Sequence, residues 1–207
     1  MENNDQPFYK DKKPNFLKEV LQWILVALLA FVVAIAIRAY VFEFVMVDGP
    51  SMENTLFTGQ RLLVYKLGYE FSEPKKGDII VFEFKEGTKS VIPFLDKVPL
   101  IKDIAPKKDE VDFIKRAIAL PGDVVDIKDG AVYVNGVKLD EPYTVGETSP
   151  HPQMNYPVTV PPNKIFAVGD HRNMSRDSRE IGFIDMEKIK GKAVFRLYPL
   201  KNIGTLK

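Results

Sequence analysis

The hydrophobic and polar positions divide this chain into one long apolar run followed by many short alternating segments. The apolar run extends from Val20 to Ile37, eighteen residues in which Gln22 is the only polar side chain. At 1.5 Å per residue, a helix of this length spans roughly 27 Å, which is close to the hydrocarbon thickness of a bilayer. A buried core helix is the alternative, but no charged face accompanies the run. The pattern therefore predicts a transmembrane anchor over residues 20–38.

Charges on either side of the anchor predict its orientation. Four lysines precede it and a single arginine follows it closely: Lys10, Lys12, Lys13, Lys18 and Arg38. The positive-inside rule then places residues 1–19 in the cytoplasm as a tail and residues 39–207 outside the cell membrane. A cleaved signal peptide is the alternative, because Ala34-Ile35-Ala36 fits the small-x-small cleavage pattern. That motif lies inside the apolar run, and the run is long for a signal sequence, so we favour the uncleaved single-pass anchor.

Beyond the anchor, the alternating pattern predicts a mainly β, antiparallel domain. Aromatic and β-branched residues alternate along Tyr40–Val47 in the manner of a strand. Further strands are predicted at Arg61–Lys66, Asp78–Phe84, Val111–Leu120, Val124–Ile127, Ala131–Val134, Val137–Leu139, Lys164–Val168, Gly182–Ile184 and Lys192–Tyr198. The pairs Asp129-Gly130 and Asn135-Gly136 are typical of tight hairpins, so we expect a small β-hairpin subdomain over roughly 124–166. Residues 86–110 mix apolar clusters with prolines and charges, and form either a long packed loop or a surface resting against lipid.

Composition narrows the chemistry that this domain can perform. The 207-residue chain has a formal net charge of +1, so nothing suggests that it binds nucleic acid. It contains no cysteine, which excludes disulfides, cysteine nucleophiles and thiolate metal sites. Its only histidines are His151 and His171, so a multi-histidine metal site is not expected. We therefore predict neither a metal nor a cofactor.

A candidate nucleophile lies about a dozen residues beyond the anchor, in the stretch Asp48-Gly49-Pro50-Ser51-Met52. The Gly-Pro pair forces a bend that holds Ser51 clear of regular strand pairing. A serine hydroxyl is a weak nucleophile until a neighbouring group takes its proton. Three interpretations are open: a triad with His171 and Asp170 or Asp177, a Ser-Lys dyad, or a turn serine with a purely structural role.

Lys115 is the candidate base for a dyad. On a strand it shares a face with Phe113, Ala117 and Ala119, which are all apolar. Burial of that face disfavours the ammonium form and lowers the lysine pKa from its usual value of about 10.4. Bringing the pKa to about 7 requires roughly 4–5 kcal/mol, which burial in a site closed by substrate could supply. The alternative is an ordinary lysine whose amine extends from a half-buried strand to solvent.

Three stretches together carry a family resemblance: Asp48–Leu56, Lys115–Asp123 and Gly169–Gly182. Their order and content resemble the type I signal peptidases, the membrane-anchored serine proteases that remove signal peptides from exported proteins. The resemblance runs from the anchor to Gly182, which is most of the chain. The layout, one anchor and a compact outer domain, is similar to the shorter Gram-positive form of that family.

The resemblance implies a role for each of several residues. Ser51 matches the nucleophile and Lys115 the general base. Ser175 matches a serine whose hydroxyl helps to orient the lysine, and Asp177 with Arg179 matches a pair that steadies the loop behind the site. The other matched residues pack after the nucleophile or line shallow pockets for small side chains: Met52, Val47, Leu56 and Ile114.

The chain departs from the family pattern at three positions. Asn54 stands where many members have proline, and His171 stands where asparagine is usual. Gly49 occupies the place where some relatives have a serine that helps to bind the oxyanion. Glycine has no hydroxyl, so the backbone N–H of Ser51 is the oxyanion donor that we expect. Arg116 follows the base as it does in the family, but the sequence assigns it no physical role.

The resemblance implies that the protein cleaves signal-peptide-bearing preproteins after Ala-x-Ala sites, at the outer face of a lipid bilayer. Two other classes of function compete with this one. A membrane-tethered β domain that binds a partner without catalysis is disfavoured because Ser51 and Lys115 are both present. A self-cleaving Ser-Lys protein of the repressor type is disfavoured because such proteins act in the cytoplasm, whereas this chain carries an anchor.

Overall fold

The computed structural model describes residues 16–85, 89–90 and 107–206. The chain divides into two compact units after Arg38. The first unit contains helix α1, Phe16–Ala36, in which every side chain is exposed. A short π-helical segment, Ile37–Val41, continues the helix into the second unit.

The helical stretch is long and apolar enough to cross a membrane, judged by its length and composition. A helix with apolar side chains on all sides buries none of them against protein, which is the property expected of a segment that is solvated by lipid. The stretch contains the predicted anchor over residues 20–38. Most of the predicted cytoplasmic tail, residues 1–15, lies outside the described residues.

The second unit begins at Ala39 and is built mainly of short strands. In chain order these are β1 Phe42–Met46, β2 Arg61–Tyr65, β3 Ile79–Lys85, β4 Lys89–Ser90, β5 Lys107–Lys108, β6 Val111–Ala119, β7 Val124–Lys128, β8 Ala131–Val134, β9 Val137–Lys138, β10 Val158–Thr159, β11 Lys164–Val168, β12 Ile184–Asp185, β13 Ile189–Tyr198 and β14 Gly204–Thr205. Two one-turn helices, α2 Gly68–Phe71 and α3 Ser178–Ile181, interrupt them.

The larger sheet has the strand order β1-β2-β13-β3-β6-β11-β12, with β14 paired beside β13. Every pair in it is antiparallel. Strand β6 pairs with β3 along residues 111–116 but with β11 only from Arg116 onward. Within the described residues, the first half of β6 and the outer side of β1 are therefore strand edges without a backbone partner.

A smaller sheet, ordered β10-β7-β8-β9, runs from Val124 to Thr159. Its tight turns are Asp129-Gly130 and Asn135-Gly136, and all four residues have positive φ angles between 52° and 80°. That geometry matches the right-handed twist of the flanking strands, which is why these residue pairs favour hairpins. The predicted subdomain over roughly 124–166 overlaps this sheet, although β11 belongs to the larger one.

The apolar core contains a cluster that lies beneath the candidate nucleophile. Its buried members are Val47, Met52, Leu56, Leu62, Ile79 and Ala193, with Ile114 and Leu206 packed against them. Each fully buried valine, leucine, isoleucine or methionine side chain contributes roughly 1.5–3 kcal/mol to the stability of the fold. The turn that carries Ser51 is therefore anchored by the two apolar residues that follow it, Met52 and Leu56.

The predicted fold class is confirmed, since the chain is mainly antiparallel β with one N-terminal apolar helix. Strand β1 begins at Phe42 instead of Tyr40, because the π-helical segment extends to Val41. The apolar clusters over 91–95 and 98–101 lie outside the described residues. Both interpretations of residues 86–110 therefore stay open, although β4 pairs with β5 at the ends of this segment.

Candidate active site

Ser51 lies at the start of a compact turn that leads from β1 towards β2. The Glu53 N–H donates to the Pro50 carbonyl oxygen at 3.0 Å, and the Leu56 N–H donates to the Met52 carbonyl oxygen at 2.7 Å. The Ser51 carbonyl oxygen in turn accepts a hydrogen bond from the His171 N–H at 3.1 Å. The Ser51 N–H itself bonds to no residue in the described part of the chain, which leaves it available to a substrate oxygen.

Lys115 meets Ser51 from the middle of β6. Its Nζ lies 2.7 Å from Ser51 Oγ, although the two residues are 64 positions apart in the chain. Only 3% of Lys115 is exposed. Burial, reinforced by the positive charge of Arg179, lowers the pKa of Lys115 to about 8, while Asp177 and Asp170 oppose the shift. At neutral pH roughly one molecule in ten then carries a neutral amine, against about one in a few thousand for a free lysine.

The loop after β11 packs behind this pair. Asp177 is fully buried, and its two carboxylate oxygens accept hydrogen bonds from Arg179 Nε and Nη2, each at 2.9 Å. The same carboxylate accepts the Gly169 N–H at 3.0 Å, and Arg179 Nη2 donates to the Arg172 carbonyl oxygen at 2.7 Å. The predicted pair of Asp177 and Arg179 is therefore in contact and ties the loop together. Ser175 Oγ is buried without a hydrogen-bond partner among the described residues, so it does not hydrogen-bond to Lys115.

Gly169 is a residue that the sequence did not single out, although it opens the third matched stretch. A Cβ atom at this position would overlap Ser175 Oγ and the Ser51 carbonyl oxygen. Only glycine allows the two loops to approach this closely.

We expect Gly169→Ala to lower kcat at least about 100-fold, because the added methyl group displaces the turn that carries Ser51. Cleavage kinetics of the purified variant test this. Gly204→Ala is the matched control, since its Cβ would meet no atom within 4 Å and its φ is not positive. Equal activity of the two variants would contradict the proposed close packing.

A buried ionic network joins the three stretches that were matched to the family. Arg116 Nε and Nη2 donate to the two oxygens of Asp170, at 2.9 and 2.7 Å. The hydroxyl of Thr55 donates to the same carboxylate at 2.5 Å. The Arg116 guanidinium also lies over the Tyr143 ring, 3.9 Å from its centroid. Because side chains alternate along a strand, Lys115 and its neighbour Arg116 extend to opposite faces of β6 and therefore have different partners.

The pair of Ser51 and Lys115 opens into a cleft of about 430 Å³ between β1 and β6. Three of the predicted pocket residues line it: Val47, Met52 and Ile114. Leu56, the fourth predicted pocket residue, is fully buried in the cluster behind this lining, and its role in a pocket stays a prediction. The other apolar residues of the lining are Val45, Phe113 and two exposed methionines, Met46 and Met174.

The triad interpretation does not fit these contacts. Ser51 Oγ is bonded to Lys115, and Nδ1 of His171 lies 3.8 Å from a carboxylate oxygen of Glu53 instead. The two candidate acids, Asp170 and Asp177, form ion pairs with arginines. Within residues 16–85, 89–90 and 107–206, no three histidine or acidic side chains are grouped as metal ligands would be.

Similarity to known proteins extends along almost the whole length of the chain. Residues 20–198 match the family described as signal peptidase, peptidase S26. Signal peptidase I of Bacillus licheniformis is 33% identical over 202 residues, which cover 94% of this chain and 97% of that protein. The probable signal peptidase I-1 of Synechocystis sp. is 38% identical over 192 residues, which cover 92% of this chain and 87% of that protein.

A crystal structure of signal peptidase I from Enterococcus faecalis is 27% identical and covers 58% of this chain and 97% of that one. Its TM-score of 0.37 is too low to support an argument about the fold. The assignment therefore depends on the match to the family and on the sequence relatives. By these matches the chain belongs to the type I signal peptidases, the serine peptidases of family S26.

Proposed function

We propose that this signal peptidase is anchored in the cell membrane by α1 and cleaves exported preproteins with Ser51 as nucleophile and Lys115 as general base. The observation that carries the proposal is the buried amine of Lys115 at 2.7 Å from Ser51 Oγ. A general base must lie within hydrogen-bond reach of the proton that it takes, and its pKa must lie near the working pH. Lys115 meets both conditions, since burial lowers its pKa to about 8.

The reaction follows from the contacts of these two residues. Neutral Lys115 takes the hydroxyl proton of Ser51 while Ser51 Oγ attacks the scissile carbonyl carbon. The free N–H of Ser51 stabilises the oxyanion that develops, and Lys115 then gives its proton to the leaving amine. The acyl-enzyme is hydrolysed by a water molecule that the same lysine activates. No step requires a metal or a cofactor.

The strand edges that flank the cleft favour a substrate in extended conformation. Strand β1 pairs only with β2, and residues 111–115 of β6 pair only with β3 within the described part of the chain. Both edges offer backbone donors and acceptors, which an extended peptide can satisfy by strand addition. Such a peptide would bring its scissile bond to Ser51 at the end of the cleft.

This arrangement also accounts for a small-x-small specificity. Side chains at alternate positions of an extended peptide point to the same side, so the residues one and three positions before the scissile bond face one wall together. Val47, Met52 and Ile114 form an apolar wall there, with Val47 and Met52 almost fully buried. A close-packed wall of this kind leaves room for alanine but resists larger side chains.

We expect a precursor with Ala-x-Ala before the cleavage site to be cut at least about tenfold faster than the same precursor with leucine at either alanine position. The middle residue faces away from the wall, so leucine there should have little effect and serves as the control. Values of kcat/KM for the four purified precursors test the proposal. Equal rates for all four would contradict it.

The pH dependence of cleavage should follow the ionisation of Lys115. Because only the neutral amine accepts a proton, we expect kcat/KM to fall about tenfold for each pH unit below about 8 and to reach a plateau above it. Initial rates from about pH 6 to about pH 10 test this. Lys128→Gln, which removes an exposed lysine far from the cleft, should leave the profile unchanged. A flat profile in the wild-type enzyme would contradict the role of Lys115.

The proposed location depends on α1 and the charges around it. The apolar helix would hold the β domain at the bilayer surface, and the lysines before it favour a cytoplasmic N-terminus. Confinement to the outer membrane face raises the local concentration of preproteins whose signal peptides still lie in the bilayer. Protease accessibility of the β domain in intact cells tests this orientation.

A further inference from the structure

The chain contains no cysteine, so the thioethers of its six methionines are its only sulfur atoms. Five of them lie in the described residues: Met46, Met52, Met154, Met174 and Met186. Two of the five are exposed, Met46 at 63% and Met174 at 56%. Both of these line the cleft that contains Ser51 and Lys115, whereas Met52 beside the nucleophile is only 1% exposed.

We propose that Met46 and Met174 are sites of reversible oxidation that slows peptide cleavage, an inference that rests on the proposed function of the cleft. In a protein without thiols, the methionine thioethers are the sulfur groups that a peroxide can oxidise. The most exposed methionines react first. In the part of the chain that the structure describes, the two exposed methionines line the cleft in which the proposed substrate would bind, while Met154 and Met186 are half-buried and pack against the core.

The modification is an oxygen transfer from hydrogen peroxide. A lone pair of the thioether sulfur attacks one peroxide oxygen, a sulfur–oxygen bond forms and the oxygen–oxygen bond breaks. The departing hydroxide takes the proton of the transferred oxygen and leaves as water. The sulfur is oxidised by two electrons and the peroxide is reduced by two, and a thiol-dependent methionine sulfoxide reductase can reverse the change.

The sulfoxide changes the chemistry of the cleft lining. It replaces an apolar, flexible side chain with a polar one that seeks hydrogen-bond donors. On β1, Met46 adjoins Val47, which lines the cleft with it. Met174 precedes Ser175 in the loop behind the site. A polar group at either place disfavours the small apolar side chains that the cleft accepts and competes for the backbone donors of the peptide.

The test uses the full-length enzyme in detergent, treated with hydrogen peroxide until peptide mass mapping shows that Met46 and Met174 are oxidised. We expect kcat/KM for an exported precursor to fall about tenfold and to recover with methionine sulfoxide reductase and a dithiol. A Met46→Leu, Met174→Leu double variant should stay within about twofold of its own untreated rate. Met186→Leu, which removes a methionine outside the cleft, should lose activity as the wild type does.

Two results would overturn the inference. One is a double variant that peroxide inactivates as fast as the wild type, and the other is a wild-type enzyme that keeps its activity with both methionines oxidised. Failure of the underlying function is recognised separately, because an untreated enzyme would then not cleave the precursor. An enzyme that cleaves before treatment and is indifferent to oxidation overturns the inference alone.

Discussion

Ser51→Ala and Lys115→Met should each abolish precursor cleavage, with a loss of roughly 10⁴- to 10⁶-fold in kcat. The alanine variant lacks the attacking oxygen. The methionine variant keeps most of the buried volume of Lys115 but has no group that can take the proton of Ser51. Because nucleophile and base act as one unit, the double variant should be little worse than either single variant. Cleavage of an exported precursor by detergent-solubilised enzyme measures all three.

His171→Ala is the matched control for this experiment. His171 donates a backbone N–H to Ser51, and that bond survives a side-chain change. We expect its activity to stay within about tenfold of the wild type. Loss of cleavage in His171→Ala together with activity in Lys115→Met would favour the triad and contradict the dyad.

Arg116→Met should destabilise the folded domain by about 3–5 kcal/mol, the largest stability effect that we expect from a single change. Asp170 is fully buried, and without Arg116 its carboxylate keeps, among the described residues, only the hydrogen bond from the Thr55 hydroxyl. An uncompensated buried charge is far more costly than a lost surface ion pair. For a domain of this size, the change corresponds to a fall of roughly 10 °C in Tm.

Thermal unfolding of the purified variant tests the role of Arg116. Arg176→Met is the matched control, because the ion pair of Arg176 with Glu180 is largely exposed, and it should cost less than about 1 kcal/mol. Adding Asp170→Asn to Arg116→Met should recover part of the loss, since it removes the stranded charge. If Arg116→Met melts within a degree or two of Arg176→Met, the network does not stabilise the fold as we describe.

Local sequence patterns predicted the positions of the strands better than their order in the sheets. The predicted strand at Arg61–Lys66 is observed as Arg61–Tyr65, because alternation and flanking turn residues are properties of neighbouring positions. The sheet order was not predictable, because β13 lies between β2 and β3 although it comes last but one in the chain. The one-turn helix α3 was missed, although Asp177 and Glu180 have the spacing of an N-terminal cap and Asp177 accepts the Arg179 N–H.

The contact between Ser51 and Lys115 was predicted because the family resemblance pairs these two residues. Roles that depend on contacts between residues far apart in the sequence were missed. Lys115 and Ser51 do meet in the structure, and desolvation of an apolar face is the cause that the sequence suggested for the lowered pKa. The role of Arg116 could not be predicted, because its partner Asp170 is 54 positions away. The sequence could not show that Leu56 is fully buried, because an apolar residue near a site looks the same in sequence whether it lines a cleft or supports the lining from behind.

The burial of Lys115 also makes the stability of the folded protein depend on pH. An unfolded lysine has a pKa of 10.5 and the folded one about 8, so unfolding takes up a proton between these pH values. Folding stability therefore rises with pH through that window, and below it the buried amine subtracts about 3 kcal/mol. Activity therefore rises up to about pH 8 and levels off, whereas stability rises only above that value, so that the neutral amine that reacts is also the form that the folded state tolerates best.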